Sequence, residues 1–147
     1  MREILFRGKT FDGRWEYGDL RHGGYIRYDT ETYIMYADYA LHNIPVIPKT
    51  IGQYTGLKDK NGKRIFEGDI IKSENSNVSA VSVVKYGNFF PDMLTEAVEI
   101  AFGKRFGCDF FGLYVQEKGG EQMVLPERTD YIEVIGNIHD NPELLEA

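Results

Sequence analysis

The sequence predicts a mainly antiparallel β fold, either a bent sheet or a barrel-like β structure, with one packed helix near residues 92–103. The first observation is turn chemistry: the pairs Asp12-Gly13, Asn61-Gly62 and Gly119-Gly120 each separate two short apolar runs, and such pairs reach positive φ at low cost. The second is an aromatic content of 14%, which favours strands because flat rings pack well on a pleated surface.

Composition limits the classes of protein that the chain can form. A chain of 147 residues is about one domain, so we expect a single domain over residues 1–147. Hydrophobic residues at 42% and charged residues at 27% are close to globular averages and disfavour a disordered chain. The net charge of -6 opposes binding to phosphates, so nucleic acid is not the favoured partner.

The N-terminal third predicts short strands and one edge. Residues 3–7 and 15–17 flank a turn over residues 8–13, and residues 20–28 and 32–36 fit further strands. Residues 37–44 are ambiguous between a helical turn and a loop. Pro45 and Pro48 have no backbone N–H to donate to a neighbouring strand, which confines Val46-Ile47 to the edge of a sheet.

Residues 51–73 predict the central β-hairpin. Asn61-Gly62 fits a two-residue turn between arms at residues 51–57 and 64–71. Gly68 interrupts the second arm, where it indicates a bulge or the close approach of another backbone.

The rest of the chain predicts further strands, one helix and a last helical turn. Residues 78–86 predict one long strand, residues 112–116 and 122–125 a second hairpin, residues 131–138 a strand, and Asn141-Pro142 a last helical turn. Between them an apolar stripe recurs at helical spacing, with Asp92 as N-cap and Gly103 as stop. Its residues are Leu94, Ala97, Val98, Ala101 and Phe102.

Four cations at the predicted hairpin tip are the candidate nucleic-acid-binding residues. They are Lys58, Lys60, Lys63 and Arg64. Cations there would contact phosphates while a neighbouring aromatic ring stacks on a base. The alternative is a solvated turn whose charges keep the hairpin soluble, and the acidity of the rest of the chain favours it.

Glu67 and Asp69 are the candidate pair for an enzyme. Two residues apart in an extended strand, both carboxylates would lie on one face, as acid/base chemistry or a metal requires. The alternative is that Asp69 accepts a local backbone N–H and Glu67 is solvated. His22, His42 and His139 lie far apart in sequence, and no metal site, catalytic residue or cofactor is predicted.

Three segments carry a resemblance to a known family. REILFRG at the start, TGLKDKNGKRIFEGDII in the centre and VIGNIHDNPELL at the end resemble, in this order and spacing, the YopX family of phage and prophage proteins. The resemblance implies a mostly β fold and a phage-encoded protein without established catalytic residues. It implies nothing for residues 20–48 or for the segment after Pro91.

We therefore expect a non-enzymatic phage or prophage accessory protein that acts by binding or self-assembly. The alternatives are a nucleic-acid-associated module that uses the hairpin tip and a small hydrolase or nuclease that uses Glu67 and Asp69. The expected partners are a second copy of the chain or an unidentified phage or host protein. No apolar run approaches the roughly 20 residues of a membrane span, and the single Cys108 fits a reducing compartment, so the bacterial cytoplasm is expected.

Overall fold

A computed structural model describes residues 3–22, 33–37, 42–76, 79–89 and 110–146. These residues are mostly strands that pair antiparallel and form two open sheets. The prediction of a mainly antiparallel β fold is confirmed. The predicted helix at residues 92–103 lies outside the described residues.

The first of two compact units is Met1–Gly56. Its sheet has the strand order β4-β3-β2-β1-β5. The elements are β1 Phe6–Lys9, β2 Trp15–His22, β3 Tyr33–Ala37, β4 His42–Val46, a 3₁₀ helix Pro48–Thr50, and β5 Gly52–Lys58, which continues into the second unit. The predicted turn near Asp12-Gly13 joins β1 to β2, with Gly13 at φ 92°.

Strand β4 is the edge strand of the described sheet, as the prolines predicted. Its last residue, Val46, is nevertheless buried. Val46 pairs with Tyr33 and also bridges Thr10 at the end of β1, and the Ile47 N–H donates to the Lys9 carbonyl at 2.8 Å. Val46 is 2% exposed, and a Cβ on Gly8 would lie 2.9 Å from its side chain. Glycine is therefore needed where β1 approaches Val46, and Val46-Ile47 does not offer an open edge.

The second unit is Leu57–Ala147. Its five-stranded sheet has the order β10-β9-β8-β7-β11, and β6 pairs with β5. The elements are β6 Arg64–Phe66, β7 Asp69–Glu74, β8 Ser79–Phe89, β9 Phe110–Glu117, β10 Gln122–Val124, β11 Ile132–Asn137, and a 3₁₀ helix Pro142–Leu145. The long strand, the second hairpin and the last helical turn lie where the sequence predicts them.

One apolar cluster forms the core of the second unit. Ile65 of β6 packs with residues of β7, β8, β9 and β11, and its side chain is fully buried. The other buried members are Ile71, Val84, Val115, Leu125, Ile132 and Val134. Removal of these side chains from water holds β6 together with the other strands of the unit.

The central hairpin differs from its prediction in two ways. Its loop is Lys60–Gly62 rather than two residues, because the Gly62 N–H donates to the Asp59 carbonyl at 3.0 Å and the Asp59 N–H to the Lys63 carbonyl at 2.8 Å. A three-residue loop of this kind needs positive φ at its last residue, and Gly62 has φ 81°.

The second difference is that the predicted second arm is two strands. It breaks at Glu67-Gly68, so that β6 pairs with β5 and β7 enters the five-stranded sheet. Gly68 has φ 88°; its N–H donates to the Val84 carbonyl, and its carbonyl accepts from the Ile138 N–H, both at 2.9 Å. The prediction that Gly68 marks a close backbone approach is confirmed.

Candidate functional site

The hairpin tip presents all four predicted cations on its surface. Lys58 ends β5, Lys60 lies in the loop, and Lys63 and Arg64 lead into β6; each is exposed. Lys60 is balanced by an acid, because its Nζ lies 3.0 Å from Glu133 Oε2. The hydrogen bond and the charge of Glu133 raise the pKa of Lys60. The tip is therefore less basic than the sequence alone indicated.

Asp59 lies at the base of this tip and is 6% exposed. Its Oδ1 accepts the Asn61 and Lys63 N–H groups, both at 2.9 Å, and its Oδ2 accepts the Val134 N–H at 3.0 Å. Burial pushes the pKa of Asp59 upward, but these three bonds and the charge of Lys63 outweigh it and hold the pKa below its ordinary value. The carboxylate stays ionised and joins the loop to β11.

Two further bonds hold the hairpin against the same part of the chain. The Lys60 N–H donates to the Ile132 carbonyl at 2.9 Å. The Thr129 hydroxyl donates to the Lys58 carbonyl. Backbone groups as well as side chains therefore fix the tip next to β11.

Charges of both signs alternate beside the tip. Lys72 pairs with Glu133 in the β7–β11 register and forms a salt bridge to Glu74. The hydrogen bond and the charge of Lys72 lower the pKa of Glu74, and the charge of Lys60 adds to this. Lys60, Glu133, Lys72 and Glu74 thus form a mixed network rather than a basic patch.

The candidate enzyme pair does not have the geometry that the sequence suggested. Asp69 is 1% exposed, and its Oδ2 accepts the Phe66 N–H at 2.7 Å. Glu67 lies in the turn before β7 and is half-buried, so no single extended strand holds both residues. The alternative reading of Asp69, a carboxylate bonded to a local backbone N–H, is confirmed.

A turn after β11 also contains polar side chains that bond to the backbone. Asn137 Oδ1 accepts the His139 and Asp140 N–H groups, both at 3.0 Å, and the Asn141 N–H donates to the Asn137 carbonyl at 2.9 Å. A Cβ on Gly136 would meet Asn141 Oδ1 at 2.6 Å. The polar residues of this segment serve the turn, in the way asparagine commonly does.

Sequence reasoning missed the roles of Asp59 and Asn137. For Asn137, the available signal was the residue type, because the side-chain oxygen of an asparagine commonly accepts the backbone N–H two residues further on. For Asp59, the same preference could have predicted the bond from the Asn61 N–H. No local signal pointed to the bond from the Val134 N–H.

Metal ligation has no support among the described residues, which contain no group of three or more His, Cys, Asp or Glu residues able to hold an ion. His22 and His42 lie in β2 and β4, and His139 lies in the turn after β11. Cys108 lies outside the described residues. In the part of the chain that the structure describes, no helix has the length and apolarity needed to cross a membrane.

Comparison with known proteins gives a family but no activity. The chain is similar to the protein in the crystal structure of protein EF1440 from Enterococcus faecalis, with 23% identity, a TM-score of 0.49 and coverage of 99% of this chain and 100% of that chain. No protein with a curated description matches. The family described as YopX protein matches residues 6–146, nearly the whole length, so the chain belongs to the YopX family.

Proposed function

We propose that this YopX-family protein is a phage or prophage accessory protein that acts by binding, either to a phage or host protein or to copies of itself, rather than by catalysis. Membership of the family supports the phage context, because the resemblance of the three signature segments implies phage-encoded relatives. The structural use of two acidic residues supports the binding role.

The observation that carries the proposal is the engagement of Asp69. An enzyme that used Glu67 and Asp69 would need both carboxylates near a bound substrate or metal. The Asp69 carboxylate is buried and accepts the Phe66 N–H. Asp59 is likewise buried and bonded to three backbone groups. These acids are used to hold turns and strands in place.

Affinity purification from induced or infected cells tests the proposal. We expect the tagged protein to retain a defined partner, or to recover untagged copies of itself, in amounts comparable to the bait. A strain with the tag alone is the control. Recovery of neither kind of partner, together with turnover of a substrate that is lost in Glu67→Gln, would replace the proposal with the hydrolase alternative.

The nucleic-acid alternative has one observation in its favour. Lys58, Lys63 and Arg64 are exposed around one ordered turn. Against it stand the pairing of Lys60 with Glu133 and the net charge of -6, which reduce the attraction of the protein for phosphates. It remains the second candidate.

A further inference from the structure

The hairpin loop contains a dipeptide that can react without an enzyme. Asn61-Gly62 is the one Asn-Gly pair in the sequence, and both residues are exposed. In such a pair the backbone nitrogen of the glycine can attack the side-chain amide carbon of the asparagine, because glycine has no side chain to obstruct the approach. The loop therefore holds a nucleophile and an electrophile in adjacent residues.

The reaction needs water as its only other reactant. A bond forms between the Gly62 nitrogen and Asn61 Cγ, the Gly62 N–H proton is lost to solvent, and the side-chain nitrogen of Asn61 leaves as ammonia. Water then opens the cyclic imide at either carbonyl carbon, which gives aspartate or isoaspartate at position 61. Both products carry a negative charge that asparagine lacks.

The folded loop engages the nitrogen that has to attack. The Gly62 N–H donates to the Asp59 carbonyl at 3.0 Å, so the proton that must leave is held in a hydrogen bond. The Asn61 and Lys63 N–H groups on either side both donate to Asp59 Oδ1 at 2.9 Å. Three successive peptide groups are therefore fixed, and the backbone cannot rotate between Asn61 and Gly62 without the loss of these bonds.

The charge of the Asp59 carboxylate acts in the same direction. Asp59 is buried, and its Oδ2 accepts the Val134 N–H at 3.0 Å, which ties the carboxylate to β11. Loss of the Gly62 proton creates negative charge on a nitrogen that lies between two N–H groups already bound by this carboxylate. Like charges repel more strongly where water is partly excluded. Asp59 thus opposes the reaction by its hydrogen bonds and by its charge.

We propose that Asn61 is a site of spontaneous modification that Asp59 protects in the folded protein, and that it converts to aspartate or isoaspartate when the loop opens. Local opening of a loop costs less free energy than global unfolding. The product adds a negative charge among Lys58, Lys63 and Arg64, and isoaspartate also inserts Cβ into the backbone of the three-residue loop. The modified tip is less basic and differently shaped. The proposal does not depend on the binding role proposed above.

Peptide mapping by mass spectrometry tests the proposal. The full chain is incubated at mildly alkaline pH, where loss of the amide proton is favoured, either folded or unfolded in guanidinium, and is then digested at acidic pH. The mass gain that accompanies exchange of an amide for a carboxyl measures conversion of Asn61. We expect conversion to be slower by about tenfold or more in the folded protein. Asn61→Gln is the control, and its peptide should show no gain.

Two variants separate the role of Asp59 from a general loss of stability. Asp59→Ser removes the carboxylate without introducing another amide, so Asn61 should convert about fivefold faster or more in the folded protein. Ile70→Ala weakens the same unit at a side chain that is 0% exposed and keeps every bond of the loop, so the rate should stay close to that of the wild type. Melting curves establish that each variant is folded.

The comparison of folded and unfolded wild-type protein decides the matter even where a variant fails to fold. Absence of conversion at Asn61 in guanidinium, or equal rates in the folded and unfolded protein, would overturn the proposal. An unchanged rate in folded Asp59→Ser, or an equal acceleration in Ile70→Ala, would also overturn it, because protection would then not come from Asp59.

Discussion

At the scale of single residues, the Asp59 carboxylate has two structural roles. It accepts backbone hydrogen bonds from its own loop and from β11. Hydrogen bonds to an ionised acceptor are roughly twice as strong as neutral ones. Asn61 and Lys63 need the acceptor to close the loop, and Val134 needs it because β11 is the last strand of the five-stranded sheet among the described residues. Loss of the charge therefore affects two parts of the unit together.

Replacing Asp59 with asparagine should lower the free energy of unfolding by about 1 to 3 kcal/mol, because the amide carries no charge and presents an N–H₂ group to one of the donors. Urea denaturation followed by fluorescence measures the change. Asp130→Asn is the matched control, since Asp130 is exposed and pairs with Arg128 on the surface, where ion pairs contribute little. Equal losses in the two variants would contradict the role assigned to Asp59.

The stability of the protein should also respond to acid through Asp59. The folded pKa of Asp59 lies below its ordinary value of 3.8, so its contribution is fully present above that pH and is lost as the pH falls through the folded pKa. Unfolding curves measured across this acidic range should show a smaller fall in stability for Asp59→Asn than for the wild type. Parallel curves for the two proteins would show that the carboxylate does not contribute in this way.

The acidic pair offers a test that separates architecture from chemistry. Asp69→Asn should destabilise the protein by about 1 to 3 kcal/mol, because its buried oxygen accepts the Phe66 N–H. Glu67→Gln, in a half-buried turn position, should cost less. Thermal melts of each single variant, with and without added Mg²⁺, measure both effects. A wild-type melting temperature that rose with Mg²⁺ and no longer did so in Glu67→Gln would favour the hydrolase alternative.

At the scale of elements, the central and closing signature segments of the chain pack together. Strand β7 pairs with β11 along most of its length, with a register shift between Val134 and Gly136. Gly68, which precedes β7, bonds to the backbone of Val84 and Ile138. The turns that distinguish these segments in the sequence are thus the points at which strands change sheet or partner.

Gly62→Val should lower stability by about 1 to 3 kcal/mol through backbone strain. Gly62 has φ 81°, and an added Cβ would meet nothing within 4 Å, so strain rather than crowding sets the cost. Gly62→Asn is the control, because asparagine tolerates this region better, and it should lose less. Chemical denaturation of both variants checks the order, and an equal loss in the two would point to a cause other than φ.

Ile70→Ala should cost about 2 to 5 kcal/mol, since the side chain is 0% exposed and its removal forfeits burial and leaves a cavity. Ile138 is 37% exposed, so Ile138→Ala should cost clearly less. Guanidinium unfolding of the two variants provides the comparison. A loss in Ile70→Ala no larger than in Ile138→Ala would mean that the site collapses around the missing atoms.

At the scale of the whole molecule, the charges of the protein disfavour tight electrostatic binding to DNA. The net charge is -6, and one of the four cations of the hairpin tip pairs with Glu133. The number of phosphates that a protein neutralises determines how many counterions it releases and how tightly it binds DNA. The remaining cations of the tip are few for this purpose.

The protein should bind generic duplex DNA weakly or not at all at physiological salt. Fluorescence anisotropy titration at two salt concentrations measures this, with Lys58→Gln/Lys63→Gln as the variant that lacks two exposed cations. A dissociation constant of about 1 µM or tighter, dependent on salt and weakened in the double variant, would move the nucleic-acid alternative to first place.

Local signals in the chain were sufficient to place most strands and turns. Gly13, Gly62 and Gly120 all adopt positive φ at the three pairs that the sequence marked as turns, because the preference of glycine for such angles depends on its own backbone. The antiparallel β class follows from the same signals, since short alternating runs joined by tight turns pair with their neighbours.

Local sequence signals could not identify the hydrogen-bond partners of the polar residues. Asp59 meets Val134 across a separation of 75 positions, and the break at Gly68 serves contacts with Val84 and Ile138. An extended strand and a split one have the same apolar alternation, so the pattern could not reveal that β6 and β7 enter different sheets. Which carboxylate is buried, which cation is paired and which edge is covered depend on how distant strands pack, and such contacts form only when the whole unit buries its core.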